Sequence, residues 1–176
     1  MPNHVRNVWK INHIPKDKVQ YVLDKITMVS GGDRIIDFDL IKPEPRFKKD
    51  CPEYAIRKPN SCSQKDEKRP WYDWYEFNIH TWGTKWNAYD GYTIVGKTYI
   101  QLVFSTAWSM PDPIAKALAE QLGYDMDLKW ADEDYGNNCG RMTYLASEGE
   151  AGWDRYEPFE LGKSPETFAR RLWDRY

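Results

Sequence analysis

The chain has 176 residues, of which 30% are charged, 41% apolar and 15% aromatic, with a formal net charge of −2. That length suits one domain, 1–176, large enough for a substantial core. A mean hydropathy of −0.80, with no apolar run near the ~20 residues that span a bilayer, excludes a helical membrane protein.

The N-terminal M-P-N-H-V-R holds no apolar signal segment. Cys51, Cys62 and Cys139 are an odd set with no paired spacing, which argues against a disulfide framework. A cytosolic protein with free thiols is expected.

His4 to Ile11 alternates loosely and predicts a first strand ending near His13. Pro15 opens a helix whose apolar positions Val19, Val22, Leu23, Ile26 and Val29 recur at spacings of three and four. Gly31 and Gly32 stop it. Arg34 to Ile41 alternates at Ile36, Phe38 and Leu40, a second strand ended by Pro43 and Pro45. The segment 42–70 is polar and poor in aliphatics, a surface insertion. A short helix is expected over Trp71 to His80.

Thr81 to Asn87 reads as a strand, with Trp82, Thr84 and Trp86 on one face and Lys85 on the other. Asp90-Gly91 is a turn signal, and Lys97 to Thr106 is the clearest strand. Pro111 and Pro113 start a helix carrying Ile114, Ala117, Leu118 and Leu122, closed by Gly123. Met126, Leu128 and Trp130 alternate in a strand over Asp125 to Ala131, and Arg141 to Ser147 returns. In the extension 150–176, Ser164 caps a last helix with Glu166 in its first turn and Phe168, Leu172 and Trp173 as apolar positions. Strands joined by both helices and hairpins indicate an α+β sandwich with a mainly antiparallel sheet.

The motifs read mostly as structure. Trp82, Trp86 and Trp108 flank strands and serve as scaffold. W-G-T-K-W has too few glycines for a phosphate loop. Ser105, Thr106 and Ser109 lack the glycines of a nucleophile elbow and read as caps for the helix after Pro111. His4, His13 and His80 lack zinc spacing with the cysteines. Asp132, Glu133 and Asp134, followed by Gly136, Asn137 and Asn138, fail the EF-hand spacing and read as a hairpin turn. No catalytic residue, metal ligand or cofactor is assigned.

Two charged surfaces remain. Between Lys42 and Arg69 stand nine Lys/Arg against five Asp/Glu. Arg46, Lys48, Lys49, Arg57, Lys58, Lys65, Lys68 and Arg69 interleave there with Phe47, Tyr54 and Trp71, the composition of single-strand nucleic-acid contact. Asp125, Asp127, Asp132, Glu133 and Asp134, extended by Glu148 and Glu150, form an acidic arc that suits a basic partner. Ordinary solvated surface is the plainer reading of both.

Four pieces occur in order: Met1-Pro2-Asn3; W-G-T-K-W at Trp82 to Trp86; T-A-W-S at Thr106 to Ser109 with Pro111 and Pro113; and A-D-E-D-Y-G-N-N-C-G at Ala131 to Gly140. In these the chain resembles the YubB-type ferredoxin-like domain family, small proteins of phages, plasmids and other mobile elements. The resemblance implies a ferredoxin-like split β-α-β core, no established enzymatic activity and a mobile-element setting. Small proteins in that setting often disable host defence, CRISPR nucleases included. It leads to an expected interaction protein in the host cytosol that antagonises a CRISPR-Cas effector nuclease. Its partner would be a host or defence protein complex, with contact to guide RNA, and no membrane. The alternatives are a single-stranded nucleic-acid-binding accessory protein using the 42–70 cations, and a metal-dependent nuclease using Asp132, Glu133 and Asp134.

Overall fold

The computed structural model describes residues 3–44, 74–156 and 164–176. Strand β1 (His4–Ile11) leads into helix α1 (Val19–Ile26). A hairpin of β2 (Thr27–Ser30) and β3 (Asp33–Ile36) follows, then a single helical turn, α2 (Phe38–Ile41). Helix α3 (Trp74–Phe77) runs directly into a π-helical turn, Asn78–Trp82. Next come β4 (Tyr89–Val95), β5 (Ile100–Ala107), α4 (Asp112–Leu122), β6 (Met126–Asp132) and β7 (Cys139–Tyr144). A 3₁₀ segment (Ala146–Gly152), β8 (Trp153–Tyr156) and α5 (Pro165–Arg175) complete the order.

The main sheet has six strands in the order β4-β5-β1-β6-β7-β8, and every neighbouring pair is antiparallel. β5 and β6 both run against β1 and flank it, so they are parallel to each other and joined by α4. The same relation links β1 and β4 across β5. Two interlocked split β-α-β units on β4, β5, β1 and β6 are the ferredoxin-like core. β7 and β8 extend it at the β6 edge. Among the described residues, no helix is long and apolar enough to cross a membrane.

Strand alternation sorts the side chains. Val5, Trp9 and Ile11 of β1, Ile100, Leu102 and Phe104 of β5, and Met126, Leu128 and Trp130 of β6 share one face. They meet Val22, Leu23 and Ile26 of α1 and Ile114 and Leu118 of α4 in the main core. Edge-to-face rings run through it: Trp9 to Phe104 at 5.0 Å, Phe104 to Phe38 at 5.9 Å, and Phe38 to Trp82 at 5.8 Å. Each such contact is worth about 0.5–1.5 kcal/mol beyond burial. This ladder ties α2 and the π-helical turn to the sheet.

The opposite face carries a smaller cluster. Val8, Val103, Ala131 and Cys139 are covered there by Ala169 and Leu172 of α5. Ser164 caps this helix, its Oγ accepting from the Thr167 amide. Trp173 Nε1 donates to the carbonyls of Ala131 and Asp132, at 3.1 and 3.2 Å.

Five local expectations change. The helix after Pro15 ends at Ile26, and Val29 is an exposed residue of β2. Gly31 and Gly32, both at positive φ, turn a hairpin instead of ending a helix. The alternation over Arg34 to Ile41 breaks at Asp37, whose carboxylate accepts from the Asp39 amide and starts α2. The expected strand at Thr81 to Asn87 is the end of the π-helical turn and a loop closed by Gly83 at φ 79°. A Cβ on Gly83 would sit 2.7 Å from Pro113 Cδ, so close packing against α4 dictates this glycine. Asp90 and Gly91 lie inside β4, at an irregularity in its pairing with β5. The 3₁₀ segment and β8 had no clear periodic signal.

Candidate nucleic-acid interface

α5 covers only part of the outer sheet face. Below it, alternation on four adjacent strands brings Gln101, Lys10, Lys129 and Arg141 side by side. Lys10 pairs with Gln101 on β5 and Asp127 on β6, while Lys129 stands opposite Arg141 on β7. With Val8 and Tyr176 they line a concavity of about 230 Å³. Tyr176, at the end of α5, forms one wall.

The local field is positive. Burial chiefly, then Arg141, pushes the Lys129 ammonium below its usual value, and Arg175 and Lys10 act in the same direction. Asp127 opposes them, with one carboxylate oxygen accepting from Asn12 Nδ2 at 2.7 Å. The Lys10 ammonium lies 4.7 Å from the centre of the Tyr99 ring, and the Arg175 guanidinium 5.4 Å from that of Tyr176. Cations beside half-buried rings on a sheet face can hold phosphates while bases stack.

The acidic arc does not form one surface. Asp125 and Asp127 lie at the start of β6, and Asp132, Glu133 and Asp134 at its end, about 20 Å away at ~3.3 Å per residue. Asp125 accepts from the Ala146 amide and meets His13 Nδ1 at 2.8 Å. The Ala146 bond and His13 lower its carboxyl below the ordinary value. Asp132 is buried and accepts from the Asp134 amide at 3.0 Å and from Asn138 Nδ2 at 3.3 Å. Glu133 accepts from the His4 amide, and Asp134 from Asn3 Nδ2, at 2.9 and 2.7 Å. These three acids fasten the β6–β7 turn to the start of β1. Among the described residues, no three His, Cys, Asp or Glu side chains group as metal ligands do.

Arg46, Lys48, Lys49, Arg57, Lys58, Lys65, Lys68 and Arg69, with Cys51 and Cys62, lie outside the described residues, as does most of the 42–70 insertion. Ser109 is not a helix cap: its Oγ donates to the Gly83 carbonyl, and the residue before α4 is Pro111 with no side-chain cap. Trp82 and Thr84 are buried as expected, but Trp86 is exposed with Trp108, and the Lys85 ammonium lies 4.9 and 5.2 Å from their ring centres. The sheet-face cations escaped sequence reading because Lys10, Lys129 and Arg141 are solitary in sequence. Only the strand order assembles them.

Residues 81–169, half of the chain, match a family model described as "Ferredoxin-like domain in Api92-like protein". No curated protein and no solved structure matches the chain.

Proposed function

The chain belongs to the family of the ferredoxin-like domain in Api92-like protein, and from that premise we propose that it binds single-stranded nucleic acid through the open part of its outer sheet face. The observation that carries this reading is the convergence of Lys10, Lys129 and Arg141 around one concavity. Lys129 and Arg141 occupy directly opposed positions, so the two like charges add to one local field that favours an anion. Tyr99 and Tyr176 beside the cations favour splayed bases over a rigid duplex.

The resemblance to YubB-type proteins of mobile elements supplies the setting. In it, the protein antagonises a host CRISPR-Cas effector nuclease in the host cytosol, and the cationic face contacts the guide RNA. The support is the resemblance together with a face suited to RNA backbone.

Fluorescence anisotropy with a labelled single-stranded RNA tests the binding. Three phosphate contacts give a slope of log K against log salt of about −2. Replacing Lys10, Lys129 and Arg141 together by Ala should lower affinity by about two decades, since each contact adds roughly a kcal/mol. Replacing Lys48, Lys49, Arg57 and Lys58 should leave most of it. If the loop variant alone loses binding, the sheet face is the wrong surface. The setting is tested separately by phage plating on CRISPR-armed cells and by co-purification of the effector complex.

A further inference from the structure

The geometry points to a second binding site, for a guanidinium group, in the cavity between α2 and the π-helical turn. It lies on the helix-covered side of the sheet, since Phe38, Phe77 and Trp82 belong to the main core. The cavity measures about 300 Å³, and Asp37, Asp39, Glu44, Asn78, Trp82 and Trp86 are among its lining residues.

Asn78 decides the chemistry. It is only 4% exposed. Its Nδ2 donates to the Lys85 carbonyl at 2.9 Å, and a carbonyl can only accept, so the amide orientation is fixed. Its Oδ1 is then buried with no hydrogen-bond partner among the described residues. A buried acceptor left unmatched is costly and calls for a donor. The residue also opens the π-helical turn, a widened backbone rare in folds and common where ligands bind.

The remaining lining fits the same ligand. Asp37 Oδ1 accepts from the Asp39 amide and from Asn87 Nδ2, and Asp39 Oδ1 from the Glu44 amide. In both carboxylates the second oxygen has no hydrogen-bond partner among the described residues. No described cation forms an ion pair with Asp37 or Asp39. A guanidinium is planar, carries five N–H donors and stacks on indole faces. It can therefore meet a carboxylate and a tryptophan at once, beside the Asn78 amide. The space beyond the head group accommodates an alkyl stem.

Calorimetric titration of the full chain tests this with three guanidinium probes, L-arginine, agmatine and a capped Gly-Arg-Gly peptide, and with tetramethylammonium as a ring-only control. Saturable binding of guanidinium probes is expected, weakened about tenfold by Asp39→Asn, as loss of one charged pairing implies. Binding of all three probes identifies a free guanidino compound as ligand. Binding of the capped peptide alone identifies an arginine side chain presented by a partner protein. No saturable heat from the wild type up to about 10 mM of any guanidinium probe overturns the site. Equal affinity for tetramethylammonium also overturns it, because the rings alone would then explain capture.

Discussion

Lys129 of β6 and Arg141 of β7 stand directly opposite one another, so two cations share one cross-strand pair on the open face. Burial first, and Arg141 second, hold the Lys129 ammonium below its ordinary value. The unfolded chain therefore keeps this proton more readily. Over the window just below the ordinary lysine value of 10.5, stability should rise with pH. Replacing Lys129 by Met keeps the aliphatic stem and removes the charge. The variant should be more stable at neutral pH by a few tenths of a kcal/mol and bind single-stranded RNA several-fold more weakly. Urea melts and anisotropy measure the two effects; a less stable variant with unchanged RNA affinity would reverse both expectations.

The opposite sign applies to Tyr89. Burial chiefly, with Glu133 and Asp90 adding to it, raises its phenol from 10 to about 12. Its hydroxyl lies 2.6 Å from His4 Nδ1. As pH rises the unfolded chain loses this proton first, so the stabilisation is complete below pH 10 and disappears between pH 10 and about 12. Tyr89→Phe should cost about 1 kcal/mol near neutrality through the lost hydrogen bond. The gap to wild type should close across that alkaline window. Parallel denaturant melts from pH 8 upwards follow it, and a constant gap would contradict the raised phenol.

Legibility followed the length of each pattern. β1, β5, α4, β6 and α5 each carry seven or more residues of one period, and for those the sequence locates the element to within about three residues, β5 starting at Ile100 and not Lys97. The region 27–41 misleads because Ile36, Phe38 and Leu40 alternate, although Asp37 caps a helical turn between them. A local carboxylate–amide bond overrides the period there. At Asn78–Trp82 the winding depends on Gly83 closing onto α4 at Pro113, a contact thirty residues away that no window contains. The candidate interface was illegible for a related reason. Its cations sit on β1, β6 and β7, and β1 lies beside β6 only through the strand order. The 42–70 cations are legible because they cluster within one stretch of sequence.

Trp108 tests whether backbone strain holds its ring at the surface. It adopts φ 73°, a left-handed conformation costly for a bulky residue. Its amide donates to the Asn3 carbonyl at 2.9 Å, and its exposed ring meets Tyr75 and the Lys85 ammonium. Gly and Ala both remove the ring, but only Gly tolerates the backbone. Trp108→Gly should exceed Trp108→Ala in stability by about 1 kcal/mol. Chemical denaturation of the pair isolates the strain, and equal midpoints would mean the conformation costs nothing.

Cys139 reports on the attachment of α5. The thiol is buried beneath Ala169 and Leu172, in the cluster that α5 completes. Reagent can reach it only when this helix lifts or the domain unfolds. In a background with Cys51 and Cys62 replaced by Ser, labelling of Cys139 should be slow. Ser164→Ala removes the acceptor of the Thr167 amide, a cap worth about 1 kcal/mol. If α5 opens separately from the sheet, labelling should accelerate about fivefold, the factor that energy implies, with little change in the global melt. The same opening would uncover Val8, Val103 and Ala131 beside the cationic concavity, so bound RNA that lies against Tyr176 should slow the labelling. Labelling indifferent to both the cap and RNA would detach α5 from the proposed interface.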